Sequence, residues 1–259
     1  MKFVDAHIHL SDEEYSGSID EILQEAKASN VVALVSNSMD LKTCVGSLEL
    51  AERFPDTVYA ALGVHPWTVN NLTDEQLQQT VDFISENSRS RNLVAIGEIG
   101  LDNKYLNIWD KQLKVFDIML HLAEKLELPV VVHSRGTTAQ IVDMLPSYRV
   151  KKVLLHWFSS PISALAKAMD RGFYISGGAP VAFSDEIRDV VRKVSLDSLL
   201  TETDGPVRFF RPPFQGKKTT PALIPIIIGA IAEVRKMDAE SVAERIGKNF
   251  EVFFGIKVN

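Results

Sequence analysis

The chain reads as an α/β protein of the (β/α)₈ TIM-barrel type, of the kind used by metal-dependent hydrolases. Three observations point there. Eight short apolar runs alternate with amphipathic helical segments. Most of the runs are rich in valine and isoleucine and apolar on both faces, as parallel strands covered on both sides require. The length, 259 residues, is ordinary for one such barrel. A doubly wound open sheet is the alternative; it would have fewer strands and would gather its ligands near one switch point.

In chain order the apolar runs are Phe3–Ile8, Val31–Val35, Thr57–Val64, Leu93–Ile96, Pro129–Val132, Val153–Leu155, Phe173–Ile175 and Leu199–Leu200. Helical periodicity predicts helices between them, among others over Ile19–Ala28, Thr73–Ser88, Trp109–Leu126, Thr138–Leu145, Pro161–Arg171 and Asp185–Val194. Thr73 and Gln76 have the spacing of a capping box. Pro129 and Pro161 fall where one element gives way to another. No linker, low-complexity run or internal repeat interrupts the pattern, so residues 1–259 are expected to form one domain.

Hydrophobic residues make up 46% and charged residues 24%, enough for a sizeable core. The net charge of -6 argues against a broad nucleic-acid footprint but leaves room for a basic patch around a small cleft. The single cysteine, Cys44, excludes an internal disulfide and reads as a small buried apolar residue. The opening MKFVDAHIHL is too polar for a signal peptide. The apolar run Leu223–Ala232, which contains Pro225, is about half the length that crosses a bilayer. The expectation is a soluble, cytoplasmic protein with no membrane segment and no obligate protein partner.

Five of the six histidines, His7, His9, His65, His133 and His156, fall at the ends of the expected strands; only His121 lies within a helix. His7 and His9 are two apart, so on a strand both imidazoles face the same way. The same grammar recurs down the chain. VVVH ends in His133, VLLH in His156, LVAIGE in Glu98, LLTETD in Asp204 and LGVHP carries His65. The C-terminal ends of barrel strands form the active-site face, so these residues converge. Singly each has a structural reading: Asp5 as a turn cap, Glu98 as a buried paired acid. Together they read as a metal site. Mixed imidazole and carboxylate ligands suit zinc, manganese, iron, cobalt or nickel, with magnesium also compatible with the carboxylates. Six candidate ligands exceed the needs of one catalytic ion and imply two divalent ions. Glu98 is the candidate bridge, because a carboxylate has two oxygens to share.

FVDAHIHL, ALGVHPW, AIGEIGLD, VVVHSRG, VLLHWFS, LLTETDGP and GKNFEVFFG together resemble the TatD family of metal-dependent deoxyribonucleases, within the amidohydrolase superfamily. The motifs run in family order from Phe3 to Gly255. The resemblance implies that His7, His9 and Asp204 bind one metal, that His133 and His156 bind the second, and that Glu98 bridges. His65 would contact substrate rather than metal. Asp102 and Arg135 would help position substrate, and Asp204 would orient or deprotonate the attacking water. Two stretches depart from the family pattern. Gln215-Gly216-Lys217-Lys218 stands where a histidine-arginine-glycine-lysine run is usual, with Thr219 or Thr220 at an asparagine position. Ser159-Ser160 stands where a glycine is usual.

The expected function is a phosphodiesterase of exonuclease type acting on DNA ends through a metal-activated water, with Asp204, Glu98 and His65 as catalytic residues. Arg135, Arg208, Arg211, Lys217 and Lys218 are candidates for contact with substrate phosphate. Among the rim aromatics, Phe209 and Phe210 are expected to pack under loops, while Trp67 and Trp157 are left open between packing and base stacking. Two other readings stand beside this one: a small-molecule amidohydrolase cleaving a lactone, cyclic amide or phosphoester, and a non-catalytic scaffold.

Overall fold

A computed structural model describes residues 1–159 and 162–258. Its eight strands are β1 (Phe3–Ile8), β2 (Val31–Asn37), β3 (Val58–Leu62), β4 (Leu93–Gly100), β5 (Val130–His133), β6 (Val153–Leu155), β7 (Tyr174–Gly177) and β8 (Leu199–Thr201). Each pairs in parallel with its sequence neighbours in the order β1 to β8. The helices are α1 (Ile19–Ala28), α2 (Leu41–Arg53), α3 (Asp74–Glu86), α4 (Trp109–Leu126), α5 (Thr138–Met144), α6 (Ile162–Asp170), α7 (Asp185–Lys193), α8 (Ile224–Arg235) and α9 (Ala239–Phe254). This is a nearly closed (β/α)₈ barrel, as the alternation of apolar runs predicts. The open-sheet alternative falls because β8 returns to β1. At the site end Asp204 N–H donates to the His7 carbonyl at 2.9 Å, and His9 N–H to the Gly205 carbonyl at 2.8 Å. Lower down, the Thr201 hydroxyl donates to the Val4 carbonyl at 2.8 Å.

The strands are buried on both faces, β1, β4 and β5 at every position. That is why their sequences are continuous apolar runs rather than alternating ones. Each helix buries one stripe against them. On α4 this stripe includes Val115, Phe116, Met119, Leu120 and Ala123. The capping box expected at Thr73 is present. Its hydroxyl accepts from Gln76 N–H at 3.1 Å, and the Gln76 side chain accepts from Thr73 N–H at 2.9 Å. A second box joins Asp40 and Thr43 at the start of α2. Helix starts of this type contribute about 0.5–2 kcal/mol each.

Two details place the site. β4 runs four residues past the expected Leu93–Ile96, so Glu98 lies within the strand rather than beyond it. Gly100 then has φ +149°, and a Cβ there would sit 2.0 Å from the His133 carbonyl oxygen. Only glycine lets the ends of β4 and β5 approach so closely, which brings Glu98 and His133 together. Cys44 is buried, as expected, with its thiol pushed up to about 12 by burial. The N-terminal residue of the helix expected over Pro161–Arg171 and the second residue of the Ser159-Ser160 departure lie outside the described residues. No helix among the described residues is long and apolar enough to cross a membrane.

Candidate metal centre

The barrel gathers all five strand-end histidines around one carboxylate. Glu98 is buried, and its two oxygens face different rings. Oε2 lies 3.2 Å from both His7 Nε2 and His9 Nε2. Oε1 lies 2.7 Å from His156 Nε2, 2.9 Å from His133 Nδ1 and 3.2 Å from His65 Nε2. Asp204 Oδ1 closes the first side, 3.3 Å from His7 Nε2 and 3.6 Å from His9 Nε2. His121 lies on the exposed face of α4, paired with Glu124 at 2.7 Å, far from this cluster in role and surroundings.

The groups behind the rings decide which nitrogen each ring turns to the centre. His9 Nδ1 lies 3.0 Å from the Asn37 carbonyl, which can only accept, so Nδ1 holds the proton and Nε2 keeps its lone pair. His133 Nε2 lies 3.0 Å from Asp102 Oδ2, leaving Nδ1 toward Glu98. His156 Nδ1 faces Glu202 Oε2 at 3.6 Å, leaving Nε2 toward Glu98. His65 is the reverse. Its Nδ1 accepts the Trp67 backbone N–H at 3.1 Å, so the proton sits on Nε2. Burial also pushes this imidazole down to about 4 against the pull of Glu98, so it is neutral at pH 7. His65 therefore presents a donor to the cluster, where His9, His133 and His156 are oriented to turn a lone pair inward once deprotonated.

These residues fit a divalent cation. His7, His9 and Asp204 hold ligand-type atoms within 4.8 Å of one another, as do His7, Glu98 and His156, and His65, Glu98 and His133. Glu98 Oε2 is buried beside two nitrogens yet has no hydrogen bond, and His7 Nδ1 and His156 Nδ1 are likewise unpartnered. Close approach without hydrogen-bond geometry is how ligand atoms stand around a shared cation. The protonation pattern agrees. Burial works against the charge of Glu98, but His156, His65, His7 and His133 hold it well below the usual carboxylate range. Burial and His156 lower His7, but Glu98 and Asp204 outweigh them and raise it to about 9. In the same way His133 and His156 are raised by the carboxyl groups on either side of them. The three raised imidazoles, His7, His133 and His156, and two carboxyl groups at such distances carry compensating charge that a metal replaces.

The cluster opens into a cleft of about 570 Å³, walled in part by Trp67, Arg135, Trp157, Pro206 and Arg208. Asp102 stands behind this wall, fully buried. It accepts from the Trp67 indole at 2.7 Å and from Arg135 Nε at 3.1 Å, and it forms an ion pair with Arg135 Nη2 at 2.8 Å. Asp102 thus holds groups that face the cleft, while Arg135 itself reaches the cleft. Lys217 and Lys218 are exposed and are not among the cleft-lining residues; Lys218 donates to Ser18 at 2.9 Å and lies over the Tyr15 ring. Arg208 lines the rim but pairs with Glu14, and Asp12 stands on the same rim. Phe209 packs against Trp157, Phe183 and Phe214, as expected. Phe210 does not pack: it is 83% exposed, because the loop turns its side chain outward while Phe209 fills the space beneath. Trp67 is 44% exposed at the cleft.

Of two further buried acids, the sequence reading mistook Asp5 and missed Glu202. Asp5 is no simple turn cap. It accepts from the His7 N–H at 3.2 Å and from the Thr203 N–H at 3.1 Å, and burial pushes it up to about 7. Glu202 sits two residues before Asp204 within LLTETD, and that alternation at a strand end was the available signal.

A (β/α)₈ barrel with clustered imidazoles and carboxyl groups on its C-terminal face is the framework of a metal-dependent hydrolase, and the relatives bear that class out. Residues 4–255 match a family model described as TatD related DNase, and the chain belongs to that family. It is 34% identical to YabD of Bacillus subtilis, described as an uncharacterized metal-dependent hydrolase, over 97% of this chain and 98% of that one. It is 32% identical to the human deoxyribonuclease TATDN3, over 95% of this chain and 92% of that one. Among solved structures, the TatD homologue YjjV of Escherichia coli superposes with a TM-score of 0.91 at 29% identity, covering 98% of each chain. A phosphotriesterase homology protein of Escherichia coli shares the fold, with a TM-score of 0.70 at 15% identity over 98% of each chain.

Proposed function

We propose that this protein is a two-metal phosphodiesterase acting on DNA ends as an exonuclease. One observation carries the reading: the two oxygens of Glu98 divide the histidines, with His7 and His9 on Oε2 and His133 and His156 on Oε1. His7, His9 and Asp204 would hold one cation, His133 and His156 the other, and Glu98 would bridge. When bound, such ions lower the pKa of a water and neutralise charge on phosphate oxygens. The chain's own residues do the rest. His65, neutral and carrying its proton on Nε2, donates to a phosphate oxygen as negative charge grows there. Arg135, held by a hydrogen bond from its Nε to Asp102 and an ion pair through Nη2, offers its remaining donors to a second phosphate oxygen. Asp204 is kept ionised by His7, against its burial, and its oxygen away from Oδ1 accepts a proton from the attacking water. Trp67 supplies an exposed ring face for a terminal base. The human relative named a deoxyribonuclease supports this substrate class.

The acids Asp12 and Glu14 on the rim favour a second reading, a small uncharged substrate such as a lactone or cyclic amide. A metal-dependent activity screen across single-stranded DNA, RNA, phosphoesters and lactones separates the two. The nuclease reading expects DNA cleavage that is lost in Glu98→Ala and His133→Ala. Turnover of lactones or amides with no DNA cleavage under any metal would sink it.

A further inference from the structure

Glu202 is buried, yet it takes no part in the cluster of ligand-type atoms. Its carboxyl group is fixed by the strand-end backbone and by β7. Oε1 accepts the Trp157 N–H at 2.9 Å, and Oε2 accepts the Ser176 hydroxyl at 2.6 Å. Trp157 has φ +40°, a left-handed conformation that turns its N–H toward both Ser176 and Glu202. The orientation of Glu202 is therefore set without any contribution from His156. What it faces is His156 Nδ1, at 3.6 Å, a fully buried ring nitrogen with no hydrogen-bond partner. On the other side of the same ring, Nε2 points at Glu98. The pair repeats, just past the ends of β6 and β8, the arrangement of Asp102 behind His133.

We propose that Glu202 is a positioning residue that keeps the proton of His156 on Nδ1 and so keeps the Nε2 lone pair turned to the centre. The inference rests on His156 being a ligand of the second cation. An imidazole has one lone pair when neutral, and the group behind the ring decides which nitrogen carries it. Without a carboxyl group behind Nδ1 the two tautomers approach each other in energy, and the share of rings able to bind falls. Ser176 and the Trp157 N–H hold Glu202 itself, so Ser176→Ala acts in the same direction with a smaller effect.

The test uses the full chain loaded with zinc, in wild type, Glu202→Gln and Ser176→Ala forms. Elemental analysis after dialysis against defined free zinc gives the number and affinity of bound ions. Nitrogen-15 spectra of histidine-labelled protein report the tautomer of each ring. The expected result is a loss of roughly 10–100-fold in affinity at one site only for Glu202→Gln, the other site being unchanged. The His156 Nδ1–H signal, present in wild type, shifts or is lost in the variant. Two equally tight ions and an unaltered His156 signal in Glu202→Gln would overturn the inference while leaving the two-metal reading intact. A wild-type His156 protonated on Nε2 would overturn it even if the variant fails to fold. A wild type that binds zinc at one site without His156 would instead refute the two-metal reading, and with it the premise.

Discussion

Replacing Asp102 by asparagine tests how much of the site depends on a residue behind it. The carboxyl group accepts five contacts. Oδ2 takes the Trp67 indole at 2.7 Å, Arg135 Nη2 at 2.8 Å and His133 Nε2 at 3.0 Å. Oδ1 takes Lys104 N–H at 2.9 Å and Arg135 Nε at 3.1 Å. An amide keeps one acceptor and turns the other into a donor. If the NH₂ replaces Oδ1, two donors meet a donor; if it replaces Oδ2, three do. At least two hydrogen bonds to a charged acceptor are lost, at about 1.5–3 kcal/mol each, or about 3–6 kcal/mol. The Arg135 side chain is 42% exposed and can turn to water, so the lower end applies, about 3 kcal/mol. Urea unfolding with an unchanged slope should show this as a lower midpoint. Metal affinity at the His133 side should fall roughly 10–100-fold. Stability within about 0.5 kcal/mol of wild type, together with unchanged metal affinity, would refute the account of Asp102 as the anchor of Trp67, Arg135 and His133.

Glu98→Gln should cost metal affinity at both positions by more than the roughly 100-fold limit typical of residues behind the ligands, and a variant that still retains two ions on dialysis would remove Glu98 from the bridge. Because His7 is raised to about 9 and His133 and His156 are also raised, metal loading at pH 7 should release protons, and affinity should climb as pH rises toward 9; calorimetry in buffers of different ionisation heat checks this, and a proton count of zero contradicts it. The His7 pKa in the folded metal-free protein lies above its unfolded value of 6.5, so its stabilisation is complete below pH 6.5 and is lost as pH rises through about 9; the urea midpoint of the metal-free protein should therefore drop across that window. Phe210→Ala should leave stability within about 0.5 kcal/mol but weaken single-stranded DNA binding by about 1–3 kcal/mol if the ring stacks on a base, whereas Phe214→Ala, in a fully buried position, should cost about 3–5 kcal/mol of stability.

The barrel was legible because burial on both faces writes itself into the strands as uninterrupted Val- and Ile-rich runs. Phe3–Ile8 and Val153–Leu155 match their strands residue for residue. The convergence of His7, His9, Glu98, His133, His156 and Asp204 was legible for the same reason, since position at a strand end is a local property. What sits behind each ring was not. The tautomer of His65 depends on a backbone N–H two residues on, and that of His156 on a glutamate 46 positions away in the chain. Asp102 read as a substrate contact because its motif lies on the active-site face, but its burial turns it inward. Phe210 read as a packing residue because packing under loops is the commoner fate of aromatics; in the structure Phe209 takes that place and Phe210 points outward.

The seam between β8 and β1 brings together residues nearly two hundred positions apart: Asp204 N–H on the His7 carbonyl, and His9 N–H on the Gly205 carbonyl. His7 and His9 are made before Asp204 and Gly205, which follow nearly two hundred residues later. Between the making of Glu98 and that of Asp204, a growing chain carries two imidazoles and Glu98 without the carboxyl group that completes their side of the centre. The grouping of His7, His9 and Asp204 is therefore assembled only when the last strand docks on the first, so its presence reports that the ring has shut.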